Sequence, residues 1–438
     1  MGTAAYLLAW AATLADQLLG WRAAGYAAGP AVALFLAIEL ARQRPALRLV
    51  FLTLIGAGLA AVAFAPDPLG AMLEGGRRAG AYAAFFLALA TLRQAAEASE
   101  IVRRCGAHLA AQPGGRRSAA MLAGGQMFGM ILSYGAIDLL GAMAARAPEA
   151  IRRAMVMAAF RGFAVMNCWS PLNIMTAVVA AAVPAAPMRL LVPFAFAASL
   201  GMLAIGWALG RRSAAPAEGT AERWTVHLPI LGLVAVVMLL AEAVSLGFAV
   251  PLSTGVTAGV PLVAGLWLAG QGGMATSLRG FLTRVPGFRG EAALLAGGGF
   301  LGVTLGAALP AGGLAGWLGV LPPVALPLLV GPLLIATGLA GLNPIAVVAV
   351  LGAAIPDPAA LGVAPATLAL ACMLGWGVGV GLSPMSASAL ATARWTGSDP
   401  WTVTAGWNRG FTLGAALLAA TCVLSLHLAL GGAIFTAH

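Results

Sequence analysis

Apolar runs of about 20 residues recur from one end of this chain to the other, and they leave it few folds to adopt. In hydrocarbon, backbone N–H and C=O groups have no water to bond. Only helices, which satisfy these groups within the segment, or closed barrels cross it. The runs are continuous rather than alternating, which argues against a β-barrel. With 61% hydrophobic and only 9% charged residues, a chain of 438 residues is too apolar to be soluble. The expected fold is an all-α polytopic membrane protein, with about eleven transmembrane helices and two re-entrant hairpins in an inverted repeat.

Unbroken spans are expected at about 4–21, 24–41, 49–66, 79–95, 190–209, 226–247, 253–270, 291–309 and 405–430. The polar stretch 96–117 reads as an amphipathic helix along the membrane surface. Two further apolar segments, 154–182 and 365–393, are wrong for continuous helices. The second contains Gly379-Val-Gly-Leu-Ser-Pro-Met-Ser-Ala-Ser388 and the first Asn167-Cys-Trp-Ser-Pro-Leu-Asn173. Glycine weakens a helix and proline removes a donor, so each segment should break in mid-membrane. The freed backbone groups then need a ligand, an ion, water or packed protein.

Segments 118–145 and 323–355 have polar, glycine-bearing centres, Ser133-Tyr-Gly135 and Thr337-Gly-Leu-Ala-Gly-Leu-Asn-Pro344. Arg116 and Arg117 precede the first, and Arg146, Arg152 and Arg153 follow it. Same-side basic flanks predict a hairpin that enters and leaves on one face. With the N-terminus cytoplasmic, only Arg22, Arg77, Arg78 and Arg189 of the 24 basic residues fall outside, and the rest obey the positive-inside bias. The first hairpin then opens inward and the second outward. This divides the chain into an extra N-terminal span (1–22), a first repeat (23–210), a cytoplasmic linker (211–225) and a second repeat of opposite orientation (226–438).

The net charge of +10 comes entirely from arginine over acid, and the arginines lie mostly in short loops between spans. They serve topology, so nucleic acid is not an expected partner. The cysteines and histidines are scattered and give no metal spacing. No P-loop and no nucleophile–base pair stands out, so neither an enzyme nor a resident cofactor is expected.

Hairpin, broken helix, hairpin, broken helix on an inverted repeat resembles the plan of the ion transporter superfamily. The motifs Gly341-Leu-Asn-Pro-Ile345, Ser170-Pro-Leu-Asn173 and Ser383-Pro-Met-Ser386 carry the resemblance by their order. It is similar to the divalent anion/sodium symporter, arsenite or sodium/proton exchanger, and tripartite carboxylate large-permease branches. The resemblance implies a homodimer with a fixed scaffold, a moving transport domain and an elevator mechanism. It also implies that Ser133, Tyr134, Gly135, Thr337, Asn343 and Pro344 are tip residues, and that Ser170, Asn173, Ser383, Ser386 and Ser388 line the breaks.

The chemistry suits that reading. The N-terminal end of a half-helix carries roughly half a positive charge and unpaired N–H donors, which attract an oxyanion. Free carbonyls suit Na⁺. The expected function is secondary active transport of a small anion, a carboxylate or an inorganic oxyanion, coupled to Na⁺ or H⁺, in a bacterial inner membrane and in contact with its lipid. Asp138, an acid in the returning arm of the first hairpin, is the proton-coupling candidate. Asp16, Glu39 and Glu242 are weaker ones, in predicted scaffold helices. Alternatives are a cation/proton exchanger using Asp138, or a permease subunit needing a partner protein. Arg161 and Arg394 flank the breaks and read as positive-inside anchors, while Trp169, Trp395, Trp401 and Trp407 read as interface or packing residues.

Overall fold

The computed structural model describes residues 1–43, 45–97, 99–210, 223–270, 274–310 and 315–432. Most of the expected linker 211–225 lies outside them. The described residues form helices and no strand. In the first half these are α1 Gly2–Leu19, α2 Arg22–Glu39, α3 Pro45–Val62, α4 Pro68–Glu97, α5 Glu100–Ala110, α6 Gly114–Leu132, α7 Gly135–Ala144, α8 Glu149–Met166, α9 Ile174–Ala182 and α10 Met188–Gly210. The second half holds α11 Leu228–Gly247, α12 Leu252–Gly270, α13 Met274–Arg284, α14 Arg289–Ala308, α15 Ala315–Leu318, α16 Ala325–Leu339, α17 Pro344–Ala354, α18 Pro365–Leu382, α19 Ala387–Thr396 and α20 Arg409–Ala429.

Among the described residues, seven helical stretches are long and apolar enough to span: 22–42, 188–210, 224–247, 252–270, 278–308, 365–396 and 409–429. Five coincide with expected unbroken spans, 365–396 holds the expected broken segment, and 278–308 begins in the basic loop expected before the span at 291–309. The remaining expected spans correspond to α1, α3, α4 and the pair α8–α9, which are shorter or carry charge. The charges of α4 have partners or face a cavity, described below. The chain is an all-α polytopic membrane protein.

The helices pack as two bundles. One is built from α1–α4 with α12 and α14, the other from α6–α10 with α16–α20. In the first, Tyr6 stacks on Phe35 with ring centroids 4.6 Å apart, and its hydroxyl donates to the Ala83 carbonyl at 2.8 Å. That bond satisfies the polar tip of an otherwise buried ring. The bundles meet chiefly where α17 lies along α14. There Gly298, Gly302 and Gly306 face Ile345, Ala349 and Ala353 at successive turns. Small residues spaced four apart let two helices approach closely without hydrophobic drive.

The surface stretch forms α5 with one buried face, Val102, Cys105, Gly106, His108 and Leu109. His108 ties it to the entry of α11: its Nδ1 lies 2.9 Å from His227 Nε2, and Gln112 Nε2 lies 3.0 Å from His108 Nε2.

Helices α6 and α8 touch backbone to backbone. A Cβ on Gly125 would lie 2.2 Å from the Ala159 carbonyl oxygen, and one on Gly162 2.0 Å from that of Leu122. Neither oxygen can withdraw without opening a helix. Gly162→Val is therefore expected to cost more than the ~1–3 kcal/mol of ordinary overpacking. In detergent it should lower the melting temperature by several degrees and reduce the monodisperse fraction in size-exclusion chromatography. Wild-type behaviour in both would contradict this packing.

Candidate functional site

Both interrupted segments break inside the intervals read from the sequence. Helix α8 ends at Met166 and α9 begins at Ile174. Between them the polar side chains bond one another. Asn173 is the N-cap of α9, its Oδ1 accepting from Met175 N at 2.9 Å. Its amide nitrogen donates to Asn167 Oδ1 at 2.8 Å, and Asn167 in turn donates to the Phe163 carbonyl at 2.8 Å. Ser170 is fully buried; its hydroxyl accepts from Leu172 N at 3.2 Å, and its carbonyl accepts from Thr176 Oγ1 at 2.6 Å. Proline at 171 forbids a continuous ladder, and these side chains replace the missing rungs.

The second break separates α18, ending at Leu382, from α19, beginning at Ala387. Ser386 caps α19 by accepting from Ala389 N at 3.1 Å, and its hydroxyl lies 3.2 Å from that of Ser388. Ser383 donates to the Gly338 carbonyl at 2.7 Å, which joins this break to the outgoing arm α16 of the second hairpin. The two broken helices lie side by side: a Cβ on Gly377 would be 2.2 Å from Cys168 Sγ, and one on Gly381 3.4 Å from Ala164 Cβ.

Two residues that sequence reasoning left outside the site hold the second break. Asn408 is fully buried, and its Nδ2 donates to the Gly381 carbonyl at 2.8 Å. Its Oδ1 accepts from Arg161 Nε at 2.9 Å, while Arg161 Nη2 donates to the Trp407 carbonyl at 3.2 Å. Arg161 thus lies between α8 and α20 rather than serving only as a loop anchor, and no carboxylate pairs with it among the described residues. Asn408 follows a π-helical turn, Thr402–Trp407, which overlaps the start of the span expected from about 405. Such turns interrupt the i→i−4 ladder and recur at functional positions. The available signal was an amide beside an apolar run, but Trp407 and Arg409 next to it give it the look of an interface residue.

The turns between α6 and α7 and between α16 and α17 fall at the residues expected to be hairpin tips. The first turns at Ser133 and Tyr134, between α6 and α7. Ser133 has φ 53° and ψ −139°, a region almost reserved for glycine. Tyr134 donates to Glu291 of α14 at 3.2 Å, and the Arg93 guanidinium of α4 lies 4.6 Å from its ring centre. Gly135 starts α7 beside Arg93. This tip rests on the first bundle. The second tip turns through Gly341 at φ 79°. Asn343 caps α17 by accepting from Ile345 N at 2.9 Å, with Pro344 in the first turn. Thr337 donates into its own helix, to Leu333 O at 2.7 Å.

Asp138 accepts from Arg394 Nη2 at 2.6 Å and from Trp395 Nε1 at 2.8 Å, so it links α7 to α19. Arg394 is thereby an ion-pair partner. Of the acids in the first bundle, Asp16 pairs with Arg77 at 3.0 Å, and Glu39 with Arg42 at 3.2 Å. Glu242 of α11 pairs with Arg189 at 3.0 Å. Among the described residues no group of three histidine, cysteine, aspartate or glutamate side chains is placed to hold a metal ion.

A cavity of about 1110 Å³ opens between the bundles and reaches Pro171 and Thr176 at the first break. A smaller one, about 360 Å³, lies between α14 and α17. Hydrogen bonds and close packing therefore join the second break to the second hairpin, the two breaks to each other, and the first tip to the first bundle.

No known family matches the chain by sequence, and no curated protein does. In fold it is similar to the YdaH transporter of Alcanivorax borkumensis, whose crystal structure is described as having an unusual topology. The identity is 18%, the TM-score 0.58, and the match covers 90% of this chain and 91% of that one.

Proposed function

We propose that the chain is a secondary active transporter of a small anion, of the carboxylate or inorganic oxyanion class. The observation that carries this reading is the pair of interrupted helices, each broken about two thirds of the way along, packed against each other at Gly377 and Cys168. Their caps leave half-helix ends inside the protein, where N–H donors attract an oxyanion and carbonyls attract a cation. The fold-level likeness to a transporter supports it. The two hairpin-plus-break units form an inverted repeat, with the N-terminus cytoplasmic in a bacterial inner membrane. The second bundle moves against the first as an elevator, and α14 with α17 offers a smooth track for it. The protein works as a homodimer and couples transport to Na⁺ or H⁺.

A thermal-shift series on purified protein against small anions, with and without Na⁺ and across pH, tests this directly, because a ligand stabilises the state it binds. Ser383→Ala with Asn343→Ala removes the tie to Gly338 and the cap of α17. It is expected to weaken anion binding at least tenfold and to reduce uptake into proteoliposomes in proportion. Unchanged uptake would place the site elsewhere.

A rival reading, cation/proton exchange through Asp138, draws on its bonds to Arg394 and Trp395. Asp138→Asn would then abolish proton-coupled flux. On the anion reading it only loosens α7 from α19.

A further inference from the structure

The positive-inside bias makes outer arginines scarce in this chain, and the few that exist are not scattered. Arg22, Arg77, Arg78 and Arg189, the four assigned to the outer side, all line the same cavity of about 1110 Å³. Two of them are neutralised. Arg77 pairs with Asp16 at 3.0 Å and with Glu74 at 2.8 Å. Arg189 pairs with Glu242 at 3.0 Å and donates to Ser245 at 2.9 Å. Arg22 and Arg78 carry no ion pair among the described residues. Arg22 stands exposed at the start of α2, whereas Arg78 is half-buried.

Arg78 lies ten residues along α4 from Pro68, about 15 Å at 1.5 Å per residue. Tyr82, one turn on, shares a hydrogen bond with Arg78 but brings no negative charge, and a guanidinium at that depth with no carboxylate still favours water or an anion within reach. Arg78 also lines the smaller cavity, as does Tyr82, so it stands where the two cavities adjoin. From there the larger cavity continues to Pro171 and Thr176. Like charges lining a low-dielectric cleft focus the field and concentrate counter-ions. The planar fork of arginine matches the two oxygens of a carboxylate, sulfonate or phosphate. A volume of about 1110 Å³ suits a ligand of organic size rather than a bare inorganic ion.

We propose that Arg78, aided by Arg22, forms an anion-capture site in an outer vestibule, where an organic oxyanion docks before it reaches the first helix break. Only the onward step rests on the transporter reading; the docking site does not.

The test uses purified full-length protein with succinate, benzenesulfonate and inorganic phosphate as probes. Binding to wild type is expected for the two organic anions, weakening several-fold between low and high salt. Arg78→Gln should raise their Kd at least tenfold without lowering the ligand-free melting temperature, and Arg78→Lys should recover part of the loss. Equal affinity in wild type and Arg78→Gln, or no binding of either organic probe, overturns the proposal. A preference for phosphate over both overturns its ligand class. Ala180→Cys, on the cavity wall, gives a second readout that needs no probe to bind at equilibrium. An anionic methanethiosulfonate should modify it about tenfold faster than a cationic one, and the ratio should fall toward one in Arg78→Gln. A ratio unaffected by Arg78→Gln counts against the site. Arg78-dependent binding in a protein that moves no anion across a bilayer would sustain the vestibule and sink the transporter reading.

Discussion

Valine at position 377 is expected to abolish anion transport and to lower the melting temperature by several degrees. The Gly377 Cα faces the first break so closely that an added Cβ would lie 2.2 Å from Cys168 Sγ, 2.9 Å from the Ala164 carbonyl oxygen and 3.0 Å from Cys168 N. Two of these three atoms are backbone. The chain at 167–173 cannot retreat, because Asn167, Ser170, Asn173 and Thr176 pin it by hydrogen bonds of 2.6–3.2 Å. The clash must push the broken helices apart, and with them the half-helix ends that the proposed site needs in register. Ordinary overpacking costs ~1–3 kcal/mol, and a contact with backbone on both sides belongs at the top of that range or above it. Gly377→Ala should be intermediate. Combined with Cys168→Ala, it should recover part of its own loss, since the sulfur is the nearest atom met. Melting curves and proteoliposome uptake for the four proteins form a double-mutant cycle. Full activity and stability of Gly377→Val would show that the breaks need not touch.

The positions of the breaks and tips were legible because helix interruption is local chemistry. Pro171, Pro344 and Pro384 remove donors, and Asn173, Asn343 and Ser386 each lie where a new helix begins. What the sequence did not reveal is how those polar groups are occupied. Read as ligand groups, Asn173, Asn343 and Ser386 prove to accept from the first N–H groups of α9, α17 and α19. Each oxygen serves as a helix cap, and at the proposed site the half-helix N–H donors and free carbonyls would act beside them. Capping and binding call for the same residue types, and sequence spacing does not separate them. The partners of Arg161, Tyr134 and Asp138 were illegible for another reason. They lie 247, 157 and 256 residues away in the chain. Such pairs are set by how the helices pack, and no periodicity records that.

Asn408→Ala should be the most destabilising polar substitution in the chain. The amide is fully buried and serves three partners: it donates to the Gly381 carbonyl at 2.8 Å and to Thr412 Oγ1 at 3.4 Å, and it accepts from Arg161 Nε at 2.9 Å. Truncation leaves two acceptors and one charged donor without that partner. Each unsatisfied buried group costs ~1–3 kcal/mol, and a charged one more. Against a typical total of ~5–15 kcal/mol, that is enough to unfold a large fraction of the protein at physiological temperature. Arg161→Met in the same chain separates the two costs. With the guanidinium gone, no buried charge is stranded, so Asn408→Ala with Arg161→Met should melt higher than Asn408→Ala alone. Asn408→Asp keeps a partner for Arg161 but turns an acceptor toward the Gly381 carbonyl. It should fold better than Asn408→Ala yet lose anion binding, because the end of α18 is pushed from its place. If the double variant melts no higher than Asn408→Ala, the chain from Arg161 through Asn408 to Gly381 does not hold the second break.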